Sequence, residues 1–204
     1  MSAQPLPSID GRRARRDQNR DRVVDALLEI YREGDLQPGV EQVAERSGVS
    51  HRSVFRYFED LDELYRVAVE RQFSSIFDRL VISAIGEGPL IERVDAIIEN
   101  RQEIYEVSEQ VSRVGHMLAP VEPIIAEHHR EMARRAVSQV GQQFAPELTP
   151  LDAESRASVK EALAVALSID SIDYLRHVRM LSRYESSAAI RATLLGLLDR
   201  TAPA

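Results

Sequence analysis

Apolar residues recur at helical spacing through most of the chain, and the breaks between runs fall at prolines and glycines. Val23, Leu27, Ile30 and Tyr31 share one face of a helix expected over about Asp17–Glu33, Val24 and Leu28 widen that stripe, and Gly34 closes it. The link Asp35–Gly39 leads to a short helix, Val40–Ser47, whose inner face is Val43 and Ala44 and which Gly48 ends. Ser50 is placed to N-cap a third helix over His51–Phe58. Asp60 and Glu63 form a capping pair that opens a fourth helix running to about Ile85, where Gly86–Pro89 interrupts it. Four long helical patterns follow at about 90–118, 121–145, 151–181 and 183–200, the last opened by a Ser182–Glu185 capping box. No run alternates with period two, so no strand is expected. The predicted fold class is all-α, a small N-terminal three-helix unit followed by a larger C-terminal bundle.

Composition narrows this picture only a little. At 204 residues with 44% apolar and 29% charged residues, the chain suits a small module joined to a larger one with an ordinary core. The absence of cysteine excludes disulfides, cysteine-ligated metals and thiol catalysis, and fits a reducing cytoplasm. No apolar run has the length of a membrane span, and Pro5 and Pro7 stand where a secretory signal needs its apolar segment. A cytoplasmic protein with no membrane partner is the expectation.

Charge changes the picture more. The net charge is -7, yet residues 1–60 carry ten arginines against eleven acids, so most of the acid excess lies beyond them. Two basic clusters stand out: Arg12, Arg13, Arg15 and Arg16, then Arg46, Arg52 and Arg56 with no acid between Arg46 and Arg56. On the third helix Arg52, Phe55 and Arg56 share one face, while Val54 and Phe58 form an i,i+4 pair on the other. Such a helix is apolar inward and cationic outward. Arginine forks suit guanine edges and phosphates, and the hydroxyls of Ser53 and Tyr57 suit the DNA backbone. Short helix, "SGVS" turn and short helix together form the layout of a helix-turn-helix.

The stretch "VEQVAERSGVSHRSVFRYFEDLDELYRVAV" resembles the N-terminal signature of the tetracycline-repressor (TetR) family of bacterial transcription factors. The resemblance covers about residues 17–70 and rests on Val43-Ala44, Ser47-Gly48-Val49-Ser50, Phe55-Arg56-Tyr57-Phe58 and Asp62-Glu63-Leu64. It implies that His51, Arg52, Phe55 and Arg56 face the major groove and that Ser53 and Tyr57 touch phosphates. Two positions depart from the family's pattern. Leu61 stands where a phosphate-binding lysine is usual, and Pro38-Gly39 where a Thr or Ser often caps the second helix. The chain then divides into an arginine-rich flexible arm (1–16), a helix-turn-helix domain (17–66) and a helical ligand-binding and dimerisation domain (67–204). The arm either follows a minor groove or phosphate, or is a solvated tail.

The resemblance further implies a homodimer built from the last two long helices, whose apolar residues spread well beyond one stripe, and a small-molecule effector held among the central helices. Candidate pocket residues are Tyr105, Arg113, His116 and Met117 on one helix and Asp170, Asp173, Tyr174 and His177 on another. Asp173 and His177 stand at i,i+4. His128 and His129 are adjacent, point about 100° apart on a helix, and do not chelate as an i,i+4 pair does. No metal, no cofactor and no catalytic residue is predicted, since no nucleophile elbow or phosphate-cradling glycine loop is present. The expected function is a sequence-specific regulator, a repressor released from a palindromic operator on double-stranded DNA by its effector. The alternative is a non-enzymatic carrier of the same fold that has lost specific DNA binding.

Overall fold

The computed structural model describes residues 9–77, 79 and 81–199. These residues form helices joined by turns, with no strand among them. In order the helices are α1 (Ile9–Arg32), α2 (Val40–Ser47), α3 (His51–Tyr57), α4 (Leu61–Phe77), α5 (Leu90–Leu118), α6 (Pro123–Gln143), α7 (Ala145–Leu148), α8 (Ala153–Ala166), α9 (Ile169–Asp173) and α10 (Arg183–Asp199), and a π-helical turn, Tyr174–Val178, extends α9. Among the described residues no helix is long and apolar enough to cross a membrane. The chain divides into two compact units, one reaching Gln72 and adding Gln110–Ile125, the other holding Phe73–Glu109 and the residues from Ala126 on.

In the first unit α1 packs on α2 and α3. Its stripe of Val23, Val24, Leu27, Ile30 and Tyr31 is fully buried, as the helical spacing predicts, and Val43, Val54, Phe58, Leu64 and Ala68 are buried with it. Arg71 ties α4 to α1 through Asp21 and, at 3.0 Å, through Asp25. The α2–α3 turn closes on Gly48, whose φ of 64° is left-handed and whose N–H returns to the Ala44 and Glu45 carbonyls. An alanine Cβ there meets only the far end of Arg22, so the backbone conformation sets the cost. Gly48→Ala is expected to destabilise the unit by about 1–2 kcal/mol, read as a lowered urea midpoint at unchanged slope.

One tyrosine in this core is anomalous. The Tyr31 hydroxyl is buried with no hydrogen-bond partner, the single such side-chain atom among the described residues, and burial drives its pKa far up. Its ring neighbour Tyr65, centroids 6.4 Å apart, donates its own hydroxyl to the Pro38 carbonyl at 2.7 Å. Tyr31→Phe removes an unsatisfied polar group and is expected to stabilise by about 1 kcal/mol. Tyr65→Phe breaks a bond and is expected to destabilise by a similar amount, so the two denaturation midpoints should move in opposite directions.

The second unit buries Val94, Ile97, Ile98 and Tyr105 of α5 against Val140 of α6, Phe144 at the α6–α7 junction, Leu163 of α8, Ile172 of α9 and Ile190, Leu194 and Leu198 of α10. Local signals set several helix ends. Asp152 caps α8 by accepting from the Glu154 and Ser155 N–H groups at 3.0 and 2.9 Å. Ser182 and Glu185 form the reciprocal box expected of them, at 2.8 and 3.2 Å.

Three stretches differ from expectation. The first helix begins at Ile9 instead of Asp17, so Arg12–Arg16 of the expected flexible arm are helical, and residues 1–8 lie outside the described residues. The fourth helix stops at Phe77 instead of near Ile85. There Asn100 donates to the Arg79 carbonyl at 2.8 Å and Gln143 accepts from the Gly86 N–H at 3.0 Å, so distant side chains take up backbone groups of the 79–86 stretch. The pattern over 151–181 is also not one helix. Leu167 leaves helical geometry, Ser168 accepts from the Ser171 N–H at 3.1 Å, and the Ser171 hydroxyl donates to the Val165 carbonyl. Those serines offer the backbone an alternative to continuing the helix.

Candidate nucleic-acid interface

The α3 helix carries its chemistry on the side that its buried residues leave free. Val54 and Phe58 are buried at 1% and 2% exposure, while His51, Arg52, Phe55 and Arg56 are exposed and Ser53 is intermediate. Ser50 occupies the N-cap with extended backbone, but its hydroxyl bonds to the Ser53 hydroxyl at 3.0 Å instead of to a backbone N–H. At the start of α4, Asp60 accepts from the Glu63 N–H at 2.7 Å, and Glu63 reaches back one residue beyond the expected box to the Glu59 N–H.

The three arginines of the second cluster have different surroundings. Arg46 forms a bidentate pair with Glu33, at 2.7 and 2.8 Å, which holds the Glu33 carboxyl below its usual range. It braces α2 against the end of α1. Arg52 is exposed on the face that Phe55 and Arg56 share. Arg56 lies along the helix, donating to the Tyr57 hydroxyl at 3.0 Å and to the Ser53 hydroxyl at 3.3 Å, with its guanidinium 5.1 Å from the Tyr57 ring centroid. His51 stands edge-on to Phe55, centroids 5.1 Å apart, and 3.5 Å from a Glu41 carboxylate oxygen.

Tyr57 is buried at 7% exposure, with its hydroxyl receiving Asn19 of α1 at 3.3 Å and Arg56. Burial pushes this hydroxyl's pKa up, but the bonds from Asn19 and Arg56 and the charges of Arg56 and Arg16 outweigh it, and the net shift is downward. The phenolic oxygen therefore sits in a positive potential drawn from two helices. Asn19 is a participant that sequence reasoning missed, and the link from Arg16 of the arginine cluster to Tyr57 was not legible either, because nothing in their spacing ties the start of α1 to the end of α3. Arg20, on the same helix, lies 4.8 Å over the Phe58 ring and 3.9 Å from Glu63. At the two departures from the resembled pattern, Leu61 is half-buried and Gly39 caps α2 with no side-chain bond.

The expected pocket residues divide between the units. Arg113, His116 and Met117 fall in the stretch of α5 belonging to the first unit, where Arg113 donates to Gln110 at 3.0 Å. In the second unit Tyr105 donates to Asp173 at 3.0 Å, with Arg176 over its ring at 5.9 Å. Burial, then the carboxylates of Glu109 and Asp173, drive the Tyr105 pKa up. Asp170 and Tyr174 instead line a cavity of about 700 Å³ with Val165, Ala166, Leu175 and Leu197 of α8 to α10. His177 is exposed in the π-helical turn, where α-helical i,i+4 geometry no longer relates it to Asp173. His128 and His129 both pack on Phe73, one stacked at 5.6 Å and one edge-on at 5.0 Å.

No protein-family model and no curated protein matches the chain. Solved structures do share its fold. A transcriptional regulator from Rhodococcus sp. Rha1 superposes with a TM-score of 0.69 at 16% identity, over 89% of this chain and 96% of its own. A protein from Streptomyces coelicolor A3(2), provisionally assigned as a transcriptional regulator, superposes with a TM-score of 0.56 at 21% identity, over 87% of this chain and 98% of its own. The chain has the all-helical fold of these transcriptional regulators across nearly its whole length.

Proposed function

We propose that the protein is a sequence-specific DNA-binding transcriptional regulator, a repressor that a small-molecule effector releases from a palindromic operator. The carrying observation is the division of α3: Val54 and Phe58 are buried, while His51, Arg52, Phe55 and Arg56 stand together at the surface. In this reading α2 and α3 are a helix-turn-helix, within a DNA-binding domain of about 17–66, and α3 lies in the major groove. Arg52 and Arg56 read base edges there, Ser53 reaches phosphate, and Tyr57 acts at the backbone and holds Arg56 in place. Asn19 and Arg16 set the start of α1 against the same backbone.

One reading helix covers too few base pairs for useful specificity, so the working form is a two-fold dimer. The apolar face of α8 to α10 supports that role, with Val165 64% and Tyr184 82% exposed in the single chain. Effector binding within residues 67–204 favours a dimer whose reading helices no longer match successive major grooves, about 34 Å apart. The carrier reading draws on Leu61 and Pro38-Gly39, which leave two phosphate contacts of the resembled pattern unmade.

Selection of the purified protein from a random duplex pool at near-physiological salt tests the reading. Enrichment of a palindrome that an Arg52→Ala/Arg56→Ala control does not recover supports the regulator. A folded dimer that enriches nothing supports the carrier. The enriched site should also lose affinity steeply with added salt, since each neutralised phosphate releases condensed counterions.

A further inference from the structure

Arg101 of α5 is a buried cation that meets no carboxylate among the described residues. It is 3% exposed, its Nη1 donates to Asn100 Oδ1 at 2.6 Å, and its Nη2 donates to Gln139 Oε1 of α6. Both partners are neutral amides, and Asn100 is itself committed to the Arg79 carbonyl. Desolvation alone pushes the Arg101 pKa down to about 10, which still leaves the group charged at neutral pH. Arg93, earlier on the same helix and equally buried, shows what such a group ordinarily has, a bidentate carboxylate from Glu147. A guanidinium taken out of water without a counter-charge is costly to the fold, so its retention points to an anion that comes from elsewhere.

The neighbouring space suits such a visitor. Gln139, the residue that Arg101 holds, lines a cavity of about 320 Å³. Val81, Ile82 and Ile85 supply an apolar wall, while Ser138 and Arg135 supply polar groups beside Gln139. The surrounding surface of α6 is also rich in cation, since Arg130, Arg134 and Arg135 share the carboxylates of Glu127 and Glu131. A volume of this order holds a small organic molecule, and the mix of aliphatic wall with a few convergent polar groups is that of a ligand site.

We propose that this cavity binds a small molecule bearing a carboxylate on an apolar body, and that the carboxylate displaces the Gln139 side-chain oxygen as the partner of Arg101. The exchange replaces a neutral acceptor by a charged one, which forms the shorter and stronger bond. Gln139 is the gate, because its side chain faces both the cavity and the guanidinium. The proposal rests on the effector reading above and names the chemical class of that effector.

Calorimetric titration of the full-length protein with octanoate and benzoate, each beside its uncharged amide, tests the assignment. The acids are expected to bind at least roughly tenfold more tightly than their amides and to raise the melting temperature. Arg101→Met, similar in volume and uncharged, should abolish the preference for acid over amide. Equal binding of acid and amide, binding of neither acid, or an acid preference that survives in Arg101→Met each overturns the proposal. The wild-type comparison of acid with amide stands even where the variant fails to fold. Duplex selection is independent of both titrations. A palindrome recovered without acid preference removes only the ligand class, whereas an Arg101-dependent acid site without DNA enrichment removes only the regulator.

Discussion

Arg93→Ala is expected to lower the unfolding free energy by about 3–5 kcal/mol, the largest single-residue stability effect anticipated in this chain. Arg93 is 4% exposed, and its guanidinium is used from both ends. Its Nε donates to the Gly88 carbonyl at 3.1 Å, its Nη1 to the Gln143 carbonyl at 2.6 Å, and both terminal nitrogens engage Glu147. Gln143 closes the circuit by donating to the Arg93 carbonyl at 2.7 Å and accepting from the Gly86 N–H. One side chain thus joins the loop before α5, the end of α6 and α7. Removing it strands the Glu147 carboxylate, whose side chain is 18% exposed, and that uncompensated charge is the main cost. The test is therefore a cycle and not a single variant. Arg93→Met/Glu147→Leu should be markedly more stable than Arg93→Met alone in urea denaturation, because it deletes the charge that the single change orphans. Equal destabilisation would mean that the bonds to the Gly88 and Gln143 carbonyls dominate and the ion pair contributes little.

The second large effect is on DNA. On the proposed regulator reading, Arg52→Ala and Arg56→Ala are each expected to cost about 1–3 kcal/mol at the selected operator, each with lost discrimination at one base pair. The two should differ in character. Arg52 stands exposed without the side-chain bonds that hold Arg56 to Ser53 and Tyr57. Tyr57→Phe releases Arg56 as well as removing a hydroxyl, so it should weaken all sequences and in addition blur the position read by Arg56. Arg46→Ala, by contrast, breaks a surface pair with Glu33 and should leave sequence preference unchanged. Binding measured across single-base variants of the operator separates these outcomes. Unchanged sequence preference in Arg52→Ala would place the reading face elsewhere on the molecule.

The contrast between Arg46 and its two neighbours shows where sequence reasoning reaches its limit. The spacing of Val54 and Phe58 was enough to put Arg52, Phe55 and Arg56 on the opposite side of one short helix, since a helical face is a local property of a few consecutive residues. Whether a cation on an adjacent helix meets solvent or a carboxylate depends on a partner that is distant in the chain, and Glu33 carries no mark of that pairing. Tyr57 is similar. Its hydroxyl was legible as a polar group beside the exposed face of α3, but Asn19 and Arg16, which with Arg56 set its potential, come from another helix. The residues expected to line a pocket instead divide between the two units, Arg113, His116 and Met117 in one and Tyr105, Asp170, Asp173, Tyr174 and His177 in the other, because side chains spread over separate helices share no periodicity.

The helices themselves divide in the same way. By itself the sequence determined the all-helical class, the span of α2 and that of α5, the buried stripe of α1, and the starts of α4 and α10. These follow from contacts a few residues apart: an apolar period, a glycine able to turn left-handed at Gly48, the break at Pro89, and carboxylates and serines that reach back to nearby N–H groups. Tertiary structure alone decided that α4 stops at Phe77, that the 151–181 pattern divides, and that Arg93 and Arg101 lie inside while the apolar Val165 and Met180 lie at the surface of the single chain. Backbone groups and buried charges take whichever partner the packed chain brings within about 3 Å, and a partner many residues away in sequence leaves no trace in the local pattern.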